Sequence, residues 1–400
     1  MTSVLTTHGL FDAPGPGLPE HRATFGPLPA ADVGQLASGA GLTGRGGAGF
    51  PTAVKLRSVA DAAAAARRAP VLIGNGAEGE PASSKDGVLL TRAPHLVLDG
   101  LALVARALGA TDVLLAAPQR LLPGLAARLA ERPDGTAVRL HAAAETFLSG
   151  EESALVAAVE GGDPLPLSKL VPIRERGVGG RPTLVQNVET LARLALLARG
   201  DREAAGRTLV TRRFERNRTA RTDVVEIALG APLGDVLPVD GHVRAVLVGG
   251  YHGTWVPAAV ARELPLDRAG LHPVGATLGA GVLAALPGDR CGLRETARIA
   301  GYLAASSAGQ CGPCLNGLPR IAAGLEVLAR PTTPPRQLLD DLERWCGLLP
   351  GRGACRHPDG SVRLIASALQ VFGPELRLHA SGRCSGTTAR PFLPVRGARR

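Results

Sequence analysis

The stretch APVLIGNGAEGEPASSKDG, residues 69–87, passes from a short apolar segment directly into a polar turn. Its first part, APVLIGN at 69–75, is typical of a buried strand that ends in a turn. Such turns are usually polar surface loops with a helix cap, but acidic residues and a lysine after a buried strand also suit a ligand site. The polar side chains in the turn are Asn75, Glu78, Glu80, Lys85 and Asp86.

Strand-like and helix-like segments alternate along the chain beyond this stretch. Apolar residues have helical spacing at 95–109, 121–132 and 149–162, whereas 111–118 and 137–145 are short apolar runs typical of strands. This alternation predicts an α/β fold in which crossover helices connect the strands of a parallel sheet. Ligands bind such sheets at the carboxyl ends of the strands, so the turn after the first strand is a candidate site.

Other segments differ from this pattern. Residues 1–40 are rich in Pro and Gly and predict an irregular lead-in, whereas 206–288 contain short strands and glycine turns typical of a small α+β module. From 289 to 380, apolar residues recur at spacings of three and four in several segments. That spacing predicts an antiparallel helix bundle, which a tail at 381–400 follows.

Composition limits the class of protein. With 45% apolar and 20% charged residues among 400, the chain can bury a core. The net charge of +10 comes from scattered arginines, and only 3% of the residues are aromatic, so nucleic-acid binding is not expected. The charge favours an acidic partner such as an electron-carrier protein, or it reflects only a solvated surface. No apolar run is long enough to span a membrane, and the first residues lack a signal-peptide pattern.

A second candidate site lies upstream, in GLTGRGGAGFPTAVKL at residues 41–56. Glycines let backbone N–H groups approach a ligand that a Cβ atom would exclude, and such a loop before a helix can bind phosphate. The chain contains only three lysines, Lys55, Lys85 and Lys169, and the first of them follows this loop. Glycine-rich turns without a ligand are also common, so the loop alone leaves both interpretations open.

Two further segments add polar groups. In FLSGEESAL, Ser149 and Glu152 have the spacing of a capping box. Glu151 would then be free to face a ligand, or would only favour the helix N-terminus. In GGRPTLVQNVETL, Gln186 and Asn187 offer amide groups to a planar heterocycle, or form only the first turn of a helix.

Together these segments resemble the flavin- and NADH-binding F subunit of respiratory complex I and the related subunits of NAD-linked hydrogenases and formate dehydrogenases. The resemblance rests on GRGGAGFPT followed by Lys55, on the pattern N..E.EP...KD, and on GEE.AL and NVETL, in the same order over residues 41–376. It implies a Rossmann-like α/β domain that binds FMN at 41–205, a β-grasp-like module at 206–288, and a helical domain with an iron–sulfur cluster at 289–380.

The resemblance also implies a reaction, in which NADH or NADPH transfers a hydride to FMN and single electrons pass to a [4Fe–4S] cluster and a ferredoxin-like partner protein. The implied enzyme is cytoplasmic and contacts a membrane only through other subunits. The nicotinamide nucleotide would contact Phe50, Glu80, Glu152 and Lys169, with Glu80 and Glu152 as candidate catalytic residues. By position in the motifs, FMN would be held by Gly44, Arg45, Gly46, Gly47, Lys55, Asn75, Glu78, Gly150, Glu151, Glu152, Gln186, Asn187 and Thr190.

Several positions depart from the family. Ala77 stands where the family has aspartate, Phe147 stands where it has tyrosine, and Ser58 and Pro172 stand where it has further aromatic residues. In the family these aromatic rings help to sandwich the bound nucleotide, and each lost ring pair is worth roughly 0.5–1.5 kcal/mol. The departures predict that nicotinamide binding is weakened more than flavin binding.

The cysteine pattern also departs from the family. The family's cluster motif is S-C-G-x-C-x-P-C with a distant fourth cysteine, and thiolates normally supply all four ligands. Here SSAGQCGPCLNG retains Cys311 and Cys314, GRGACRHPDG supplies Cys355, and Ala308 replaces the first cysteine. All six cysteines lie in the last third of the chain, which favours a metal or cluster site over disulfides in a reducing compartment.

The loss of the first cysteine leaves several interpretations. A substitute ligand could complete the cluster, and the candidates are Cys291, Cys346, Cys384 and water. The cluster could instead be a three-iron form, or it could be absent. A Cys-x-x-Cys pair also suits zinc, and Cys346 could simply be a small buried side chain within its helix.

Two other functions stay open from the sequence. The chain could be a non-catalytic scaffold that binds flavin within a larger complex but transfers no electrons. It could also be a flavoprotein that ferredoxin reduces, with no nicotinamide step. Reduction of bound flavin by NADH without oxygen distinguishes these functions from that of an NADH dehydrogenase.

Overall fold

The computed structural model describes residues 9–133, 137–167 and 171–395. Within this part the chain divides into two compact units. The first unit comprises the residues up to 79 together with 84–209, and the second comprises 80–83 together with the residues from 210 onward. Each unit contains its own sheet and its own hydrophobic core.

The first unit alternates helices and strands after two N-terminal helices. Its elements in chain order are α1 (Leu18–Phe25), α2 (Val33–Gly39), α3 (Thr52–Ala66), β1 (Val71–Asn75), α4 (Lys85–Arg92), α5 (Pro94–Leu108), β2 (Asp112–Pro118), α6 (Leu122–Ala130), β3 (Val138–Ala143), α7 (Glu152–Val159), β4 (Thr183–Asn187) and α8 (Val188–Ala198).

The four strands form one parallel sheet in the order β3-β2-β1-β4. The buried strand β1 lies between β2 and β4, and its last residue, Asn75, pairs with Ala116 on one side and Asn187 on the other. Because all four strands run in the same direction, the carboxyl ends of β1 and β4 lie side by side. This edge of the sheet is where an α/β fold binds its ligands.

The predicted alternation is confirmed from β1 to β3, where each expected strand and helix is present. Two expectations need correction. The lead-in at 1–40 is not irregular throughout, since it contains α1 and α2. The alternation also does not predict β4, because its five residues run directly into α8 and are too few to show a period of their own.

Helices α5 and α8 pack against each other at a glycine. A Cβ atom on Gly100 of α5 would lie 2.1 Å from the carbonyl oxygen of Leu191 in α8, so only glycine permits this approach. The two backbones therefore lie closer together than side chains would allow. Since α8 continues directly from β4, this packing also fixes the path of the chain as it leaves the sheet.

A buried carboxylate in α5 holds α1 to the first unit. Asp99 accepts hydrogen bonds from His21 at 2.8 Å, Arg132 at 2.9 Å and Arg199 at 2.6 Å, and all four side chains are buried. Burial alone would raise the pKa of Asp99, but the hydrogen bond from His21 and the two guanidinium groups hold it well below its usual range. The N-terminal helix is thus anchored by partners that are distant in sequence.

The second unit begins within the strand β5, where the boundary between the units falls. The elements from that strand onward are β5 (Arg207–Arg216), β6 (Thr219–Ala228), α9 (Leu233–Val236), β7 (Val243–Val248), β8 (Thr254–Pro257), α10 (Ala258–Ala261), α11 (Arg268–Leu271), β9 (Val282–Pro287), α12 (Gly292–Ala305), α13 (Leu318–Leu328), α14 (Leu338–Leu348), α15 (His357–Val371) and α16 (Gly373–Ala380).

The sheet of the second unit is mixed and has the order β6-β5-β9-β7-β8. Its central strands β5 and β9 are parallel, whereas β7 is antiparallel to both β8 and β9. The helices expected after residue 289 are present as α12 to α15, and their apolar faces share one core with the buried side chains of Cys314 and Cys346. Within the described residues no single helix is both long and apolar enough to cross a membrane, and only α4 with α5, bent at 93°, passes that test as a pair by length and composition.

Replacing the buried carboxylate should destabilise the first unit. Asp99→Asn leaves two guanidinium groups without their counter-charge, so we expect the free energy of unfolding in urea to fall by about 3–5 kcal/mol. The control is Arg139→Ala, which removes an exposed ion pair with Asp112 and should cost about 1 kcal/mol or less. Equal losses in the two variants would contradict the role given to Asp99.

The same variant should change the pH dependence of unfolding. Because folding lowers the pKa of Asp99, its stabilising contribution is present above the ordinary value of about 4 and is lost as the pH falls below it. Urea titrations between pH 7 and pH 3 should therefore show a shallower loss of stability on acidification in Asp99→Asn than in the wild-type chain.

Candidate ligand site and thiol groups

The glycine loop is an antiparallel hairpin that leads into α3. The N–H of Gly44 donates to the Phe50 carbonyl at 2.9 Å, and the N–H of Thr52 donates to the Leu42 carbonyl at 2.9 Å. Within the hairpin, Gly47 has a φ of 105°, a left-handed conformation that favours glycine. The sequence prediction of a loop that ends at a helix start is confirmed.

The tip of this hairpin presents unpaired backbone donors. Among the described residues, the N–H groups of 46–49 find no hydrogen-bond acceptor, and the tip is largely exposed to solvent. The hydroxyl group of Thr52, in the first turn of α3, is buried and also has no partner in the described part of the chain. Successive free N–H groups before the N-terminus of a fifteen-residue helix are suited to an anionic group.

Lys55 reaches from α3 to the edge of the parallel sheet. Its ammonium group donates to the backbone carbonyl of Val185 in β4 at 2.7 Å and forms an ion pair with the carboxylate of Glu152. Both side chains are partly exposed, at 24% for the lysine and 45% for the glutamate, so the pair faces the open side of the site. The helix therefore carries its cation to the carboxyl end of β4.

Gln186 supplies an unused acceptor at the same edge. It lies next to Asn187 at the end of β4, opposite Gly74 of β1, and only 3% of it is exposed. Its side-chain oxygen is buried and has no hydrogen-bond partner in the described part of the chain. An unsatisfied buried amide oxygen is costly, so a donor from a bound ligand would stabilise it.

The expected capping box is wrong, and the two adjacent glutamates exchange roles. Glu151 is the N-cap of α7, because its carboxylate accepts from the N–H groups of Ser153 at 2.9 Å and Ala154 at 3.0 Å. The hydroxyl group of Ser149 instead donates to the Thr146 carbonyl at 2.7 Å. Glu152, which the spacing assigned to the cap, is the residue that pairs with the lysine of α3. Since α7 begins at residue 152, the cap falls one position before it.

Two asparagines fix the loops after β1 and β4. Asn75 donates to the Gly150 carbonyl at 3.0 Å and accepts from the Ala77 N–H at 3.0 Å. Asn187 caps α8 by accepting from the Glu189 N–H at 2.9 Å. These predicted ligand-binding residues therefore lie together at the sheet edge, where they also tie the local backbone in place.

Glu78 and Thr190 likewise hold backbone segments near the site. The Glu78 carboxylate accepts from the N–H groups of Asp86 at 3.2 Å and Gly87 at 3.3 Å, at the start of α4. The Thr190 hydroxyl accepts from the Arg45 N–H at 2.9 Å. These two residues thus connect the glycine loop and the turn after β1 to neighbouring helices.

The side chain of Arg45 points into the protein. Its guanidinium group is buried and donates to the carbonyls of Ala205 and Arg207 and to the Thr43 hydroxyl. Burial lowers its pKa from the usual arginine value. The buried side chain of Arg45 therefore anchors the loop to the protein interior, whereas residues 46–48 at the tip are exposed to solvent.

A buried ion network beneath the site includes two residues that the sequence analysis did not single out, Glu189 and Arg193. The ammonium group of Lys85 lies 2.8 Å from Asp86 and 3.1 Å from Glu189, and Arg193 lies 3.2 Å from the same glutamate. Asp86 also accepts from the Asn187 amide at 2.8 Å. The sequence does contain one indication of this network, because Glu189 and Arg193 are opposite charges at positions i and i+4 of the otherwise apolar helix α8.

The network changes the pKa values of two of its members, Asp86 and Lys85. Burial raises the pKa of Asp86 to about 6, and the carboxylates of Glu78 and Glu189 act in the same direction while Lys85 opposes them. Burial by itself would lower the pKa of Lys85, but the two carboxylates hold it above its ordinary value. The lysine is therefore charged at neutral pH and fixes α4 against α8.

The residues predicted to contact the nicotinamide nucleotide are distributed differently. The ring of Phe50, beside the hairpin, is 51% exposed. Glu80 belongs to the second unit, where its carboxylate accepts from the N–H groups of Ala82 at 3.2 Å and Tyr251 at 2.8 Å. Lys169 lies outside the described residues. The contacts of these residues with a nucleotide stay predictions.

Cys311, Cys314 and Cys355 come together in the second unit. Burial raises the pKa of Cys314 to about 12, with Cys311 and then Cys355 acting in the same direction through space. Burial would also raise the pKa of Cys311, but backbone N–H groups of Ala354 and Cys314 bring it below the usual value. A hydrogen bond from the Gly309 N–H lowers the pKa of Cys314, so the backbone next to Ala308 borders this group of cysteines. At position 308 the chain offers a methyl group where the family has a thiol.

Two of the suggested substitute ligands, Cys291 and Cys384, lie away from this group. Cys291 and Cys384 lie beside each other, and Cys291 immediately precedes α12 whereas Cys311 follows it. A helix of fourteen residues is about 20 Å long, so these thiols are near opposite ends of α12. Cys346 is buried in α14 within the apolar core, which fits the interpretation of a small hydrophobic side chain.

Comparison with known proteins identifies relatives along most of the chain. Two family models match, the Nuo51 FMN-binding domain at residues 37–196 and the NADH-ubiquinone oxidoreductase-F iron-sulfur binding region at 294–379. The F 2 subunit of the NADH-quinone oxidoreductase of Rhizobium meliloti is 27% identical over 92% of this chain and 93% of that protein. The F subunit of the same enzyme of Escherichia coli K12 is 28% identical over 88% of this chain and 85% of that protein.

Solved structures give the same result. The NAD+-reducing [NiFe]-hydrogenase in its air-oxidized state matches with a TM-score of 0.79 and 30% sequence identity. The match covers 93% of this chain and 67% of the hydrogenase chain. The similarity therefore extends through both units of the chain.

The exchange of roles between the adjacent glutamates can be tested by amide hydrogen exchange in α7. Glu151→Ala removes the cap and should lower the opening free energy of the first turn of α7 by about 1 kcal/mol. Glu152→Ala, the matched control one position later, removes only a partly exposed ion pair and should leave that free energy within about 0.5 kcal/mol. A larger loss in Glu152→Ala than in Glu151→Ala would instead support the capping box predicted from the sequence.

Proposed function

The chain belongs to the family of F subunits of NADH-quinone oxidoreductase, and on that basis we propose that it is an oxidoreductase that transfers electrons from NADH through FMN to an iron–sulfur cluster. The proposal rests on the groups that meet at the edge of the parallel sheet. There three separate segments meet, and they contribute the N–H groups of the hairpin, the cation of Lys55 and the side-chain oxygen of Gln186. Within the described part of the chain, the hairpin groups and the Gln186 oxygen have no hydrogen-bond partner. A flavin nucleotide offers a phosphate to the hairpin and to Lys55, and the N–H group of its oxidised ring to Gln186.

We propose that FMN is held by the hairpin tip at 46–49, Lys55 and Gln186, with Asn187 beside them. The residues suit this cofactor for two reasons. The exposed donors are backbone groups, which at the glycines have no Cβ atom in front of them. The buried amide oxygen of Gln186 has no donor among the described residues. When bound, FMN supplies hydride acceptance and the release of single electrons. The protein supplies placement and charge.

Other predicted FMN residues then act by positioning the site. Four of them form side-chain hydrogen bonds to neighbouring backbone groups: Asn75, Glu78, Glu151 and Thr190. The buried side chain of Arg45 holds the hairpin by hydrogen bonds to backbone carbonyls. The sheet edge is thereby built before a ligand arrives. Preorganised donors lower the cost of ordering when a ligand binds.

For the nicotinamide nucleotide we propose contacts with Phe50 and Glu152, and we retain Glu80 and Lys169 as predictions. The exposed ring of Phe50 offers a stacking surface next to the hairpin. The carboxylate of Glu152 is partly exposed and held by Lys55, so it can accept a hydrogen bond from the nucleotide. The polar Ser58 on α3 offers no ring in place of the family's aromatic residue, which supports weaker nicotinamide binding than in the relatives.

The iron–sulfur cluster would be held by the three grouped cysteines, Cys311, Cys314 and Cys355. These suit such a cluster because thiolates are its usual ligands and their positions match those of the family. The fourth position carries the methyl group of Ala308, so the fourth ligand comes from outside the cysteines, with water as the simplest choice. A cluster with one exchangeable iron site follows from this arrangement.

The domain limits are part of the proposal. We assign FMN binding to 41–205, a β-grasp-like module to 206–288 and the cluster to 289–380. The family models support the first and last assignments. The order β6-β5-β9-β7-β8, with parallel central strands formed by the first and last strands of the module, supports the second. A ferredoxin-like protein is the proposed electron acceptor, in the cytoplasm, where thiols stay reduced.

The decisive experiment is anaerobic addition of NADH to the purified chain, followed by flavin absorbance. We expect bound FMN to be bleached by a stoichiometric amount of NADH. Flavin that stays oxidised with NADH and NADPH would reject the dehydrogenase function and support the scaffold alternative. Bleaching by reduced ferredoxin alone would support the pathway without nicotinamide.

Removing the cation of α3 should weaken flavin retention. Lys55→Met deletes one charged donor and leaves Glu152 unopposed, so FMN affinity should fall by roughly 10- to 100-fold, the equivalent of about 1.5–3 kcal/mol. Arg57→Met, the control on the exposed face of the same helix, should leave affinity unchanged. Fluorescence titration of released flavin measures both. Full flavin content in purified Lys55→Met would contradict the placement of the cofactor.

Restoring the missing cysteine should increase iron. Ala308→Cys supplies a fourth thiolate beside the existing three. Anaerobic reconstitution should therefore raise iron by about one third and leave sulfide unchanged if the native cluster is [3Fe–4S], or should block exchange of one iron if it has four. The matched control, Ser306→Cys, places a thiol at the end of α12 and should change neither quantity. Unchanged iron content and exchange in Ala308→Cys would show that this pocket binds no cluster.

A further inference from the structure

Four metal-ligating side chains converge in the second unit, away from the three cysteines assigned above. The four residues are Cys291, Glu375, His379 and Cys384. Each offers one donor atom, and these atoms all lie within 4.8 Å of one another. The first three residues are buried and Cys384 is half-buried. They come from three elements: the N-cap of α12, one face of α16, and the turn that follows α16.

We propose that these four residues bind a zinc ion with a structural role. Two cysteines, one histidine and one carboxylate are all groups that bind zinc, and a closed set of four protein ligands distinguishes structural zinc sites from catalytic ones. The sequence motifs gave no indication of this set, because its members are up to 93 positions apart in the chain. The observations behind the proposal involve neither flavin, nicotinamide nor the iron–sulfur cluster.

The distances agree with a tetrahedral site. With a Zn–S bond of about 2.3 Å and a Zn–N bond of about 2.0 Å, two tetrahedral ligands are about 3.5 Å apart. The Cys291 sulfur and the His379 Nε2 atom are separated by 3.6 Å. The same nitrogen lies 3.1 Å from the Glu375 carboxylate oxygen, close to the separation expected for a nitrogen and an oxygen ligand. The side chains thus need little movement to accept the ion.

The surrounding groups orient these ligands. The Nδ1 atom of His379 lies 2.8 Å from the Leu328 carbonyl, which fixes the proton on that nitrogen and leaves Nε2 as the ligand atom. The Glu375 carboxylate accepts from the Ser385 N–H at 2.8 Å and from Arg244 at 3.1 Å. A Cβ atom on Gly386 would lie 2.8 Å from the Cys291 backbone nitrogen, so glycine lets the turn approach α12.

The charges of the site also balance. Two thiolates and one carboxylate carry three negative charges, which a divalent cation and the guanidinium group of Arg244 neutralise. The cysteines bind such an ion as thiolates, so their protons are released when the ion binds. A borderline-soft divalent ion suits sulfur and imidazole ligands together, whereas Mg²⁺ and Ca²⁺ prefer oxygen ligands.

Two helices separate this site from the cluster cysteines. Cys291 precedes α12 and Cys311 follows it, while Cys314 precedes α13 and Leu328, beside His379, ends it. The helices are about 20 Å and about 16 Å long. One ion therefore cannot use both sets of thiols, and the zinc would instead clamp α16 and its following turn to the start of α12.

The test measures metals in the purified full chain. We expect about one zinc per chain by mass spectrometry of the metals, and X-ray absorption at the zinc edge should report two sulfur and two nitrogen or oxygen ligands. Cys384→Ser, at the half-buried ligand, should reduce zinc affinity at least about tenfold and leave iron and flavin unchanged. Cys311→Ser is the matched control and should reduce iron while leaving zinc unchanged.

Several results would overturn the proposal. One is a wild-type chain that contains no zinc and acquires none when Zn²⁺ is added. A second is zinc that is lost with Cys311 but kept in Cys384→Ser. A third is a native mass two hydrogens below the reduced value, with a peptide map that links Cys291 to Cys384 in a disulfide. The absorption measurement uses the wild-type chain, so the proposal is tested even where a variant fails to fold.

Discussion

The parallel pairing of β1 with β4 is the constraint on which the candidate ligand site depends. It places Gly74 and Asn75 beside Gln186 and Asn187, although more than a hundred positions separate the two strands in the chain. Since both strands run in the same direction, their carboxyl ends open toward the hairpin before α3, and Lys55 can reach the Val185 carbonyl. A shift of one residue in this register would turn the amide of Gln186 to the other face of the sheet.

Burial divides the charged residues of the motifs into two groups with different roles. Lys55 and Glu152 are partly exposed and form a pair on the open side of the site. Lys85 and Glu189 carry the same kinds of charge but are fully enclosed, where each is matched by neighbouring groups and holds α4 against α8. A buried charge that lost its partner would cost several kcal/mol, so the second group specifies how the helices pack. The resemblance to a family alone would not separate these roles.

The two groups of thiols show how a local substitution and a tertiary arrangement differ in their consequences. At Cys311, Cys314 and Cys355 the family's sequence spacing is kept, and a single methyl group leaves the ligand set one short. At the other end of α12, four donors come together from three separate segments, and only Glu375 and His379 share a regular spacing, at i and i+4 of α16. Sequence spacing therefore identifies ligands only when they follow a known motif, and it misses ligands brought together by helix packing.

The sequence by itself determined the alternation of strands and helices after residue 69, the glycine loop with its following helix, the helices after 289 and the family to which the chain belongs. These features depend on local periodicity, backbone freedom and motif order. Only the tertiary structure decided that β4 exists, that α1 is held by Asp99, that Glu151 and not Glu152 caps α7, and that Cys291 meets His379. Three of these features depend on contacts between segments that are distant in sequence, and the cap of α7 depends on the residue at which the helix begins. The spacing of neighbouring residues specifies neither such contacts nor the first residue of a helix.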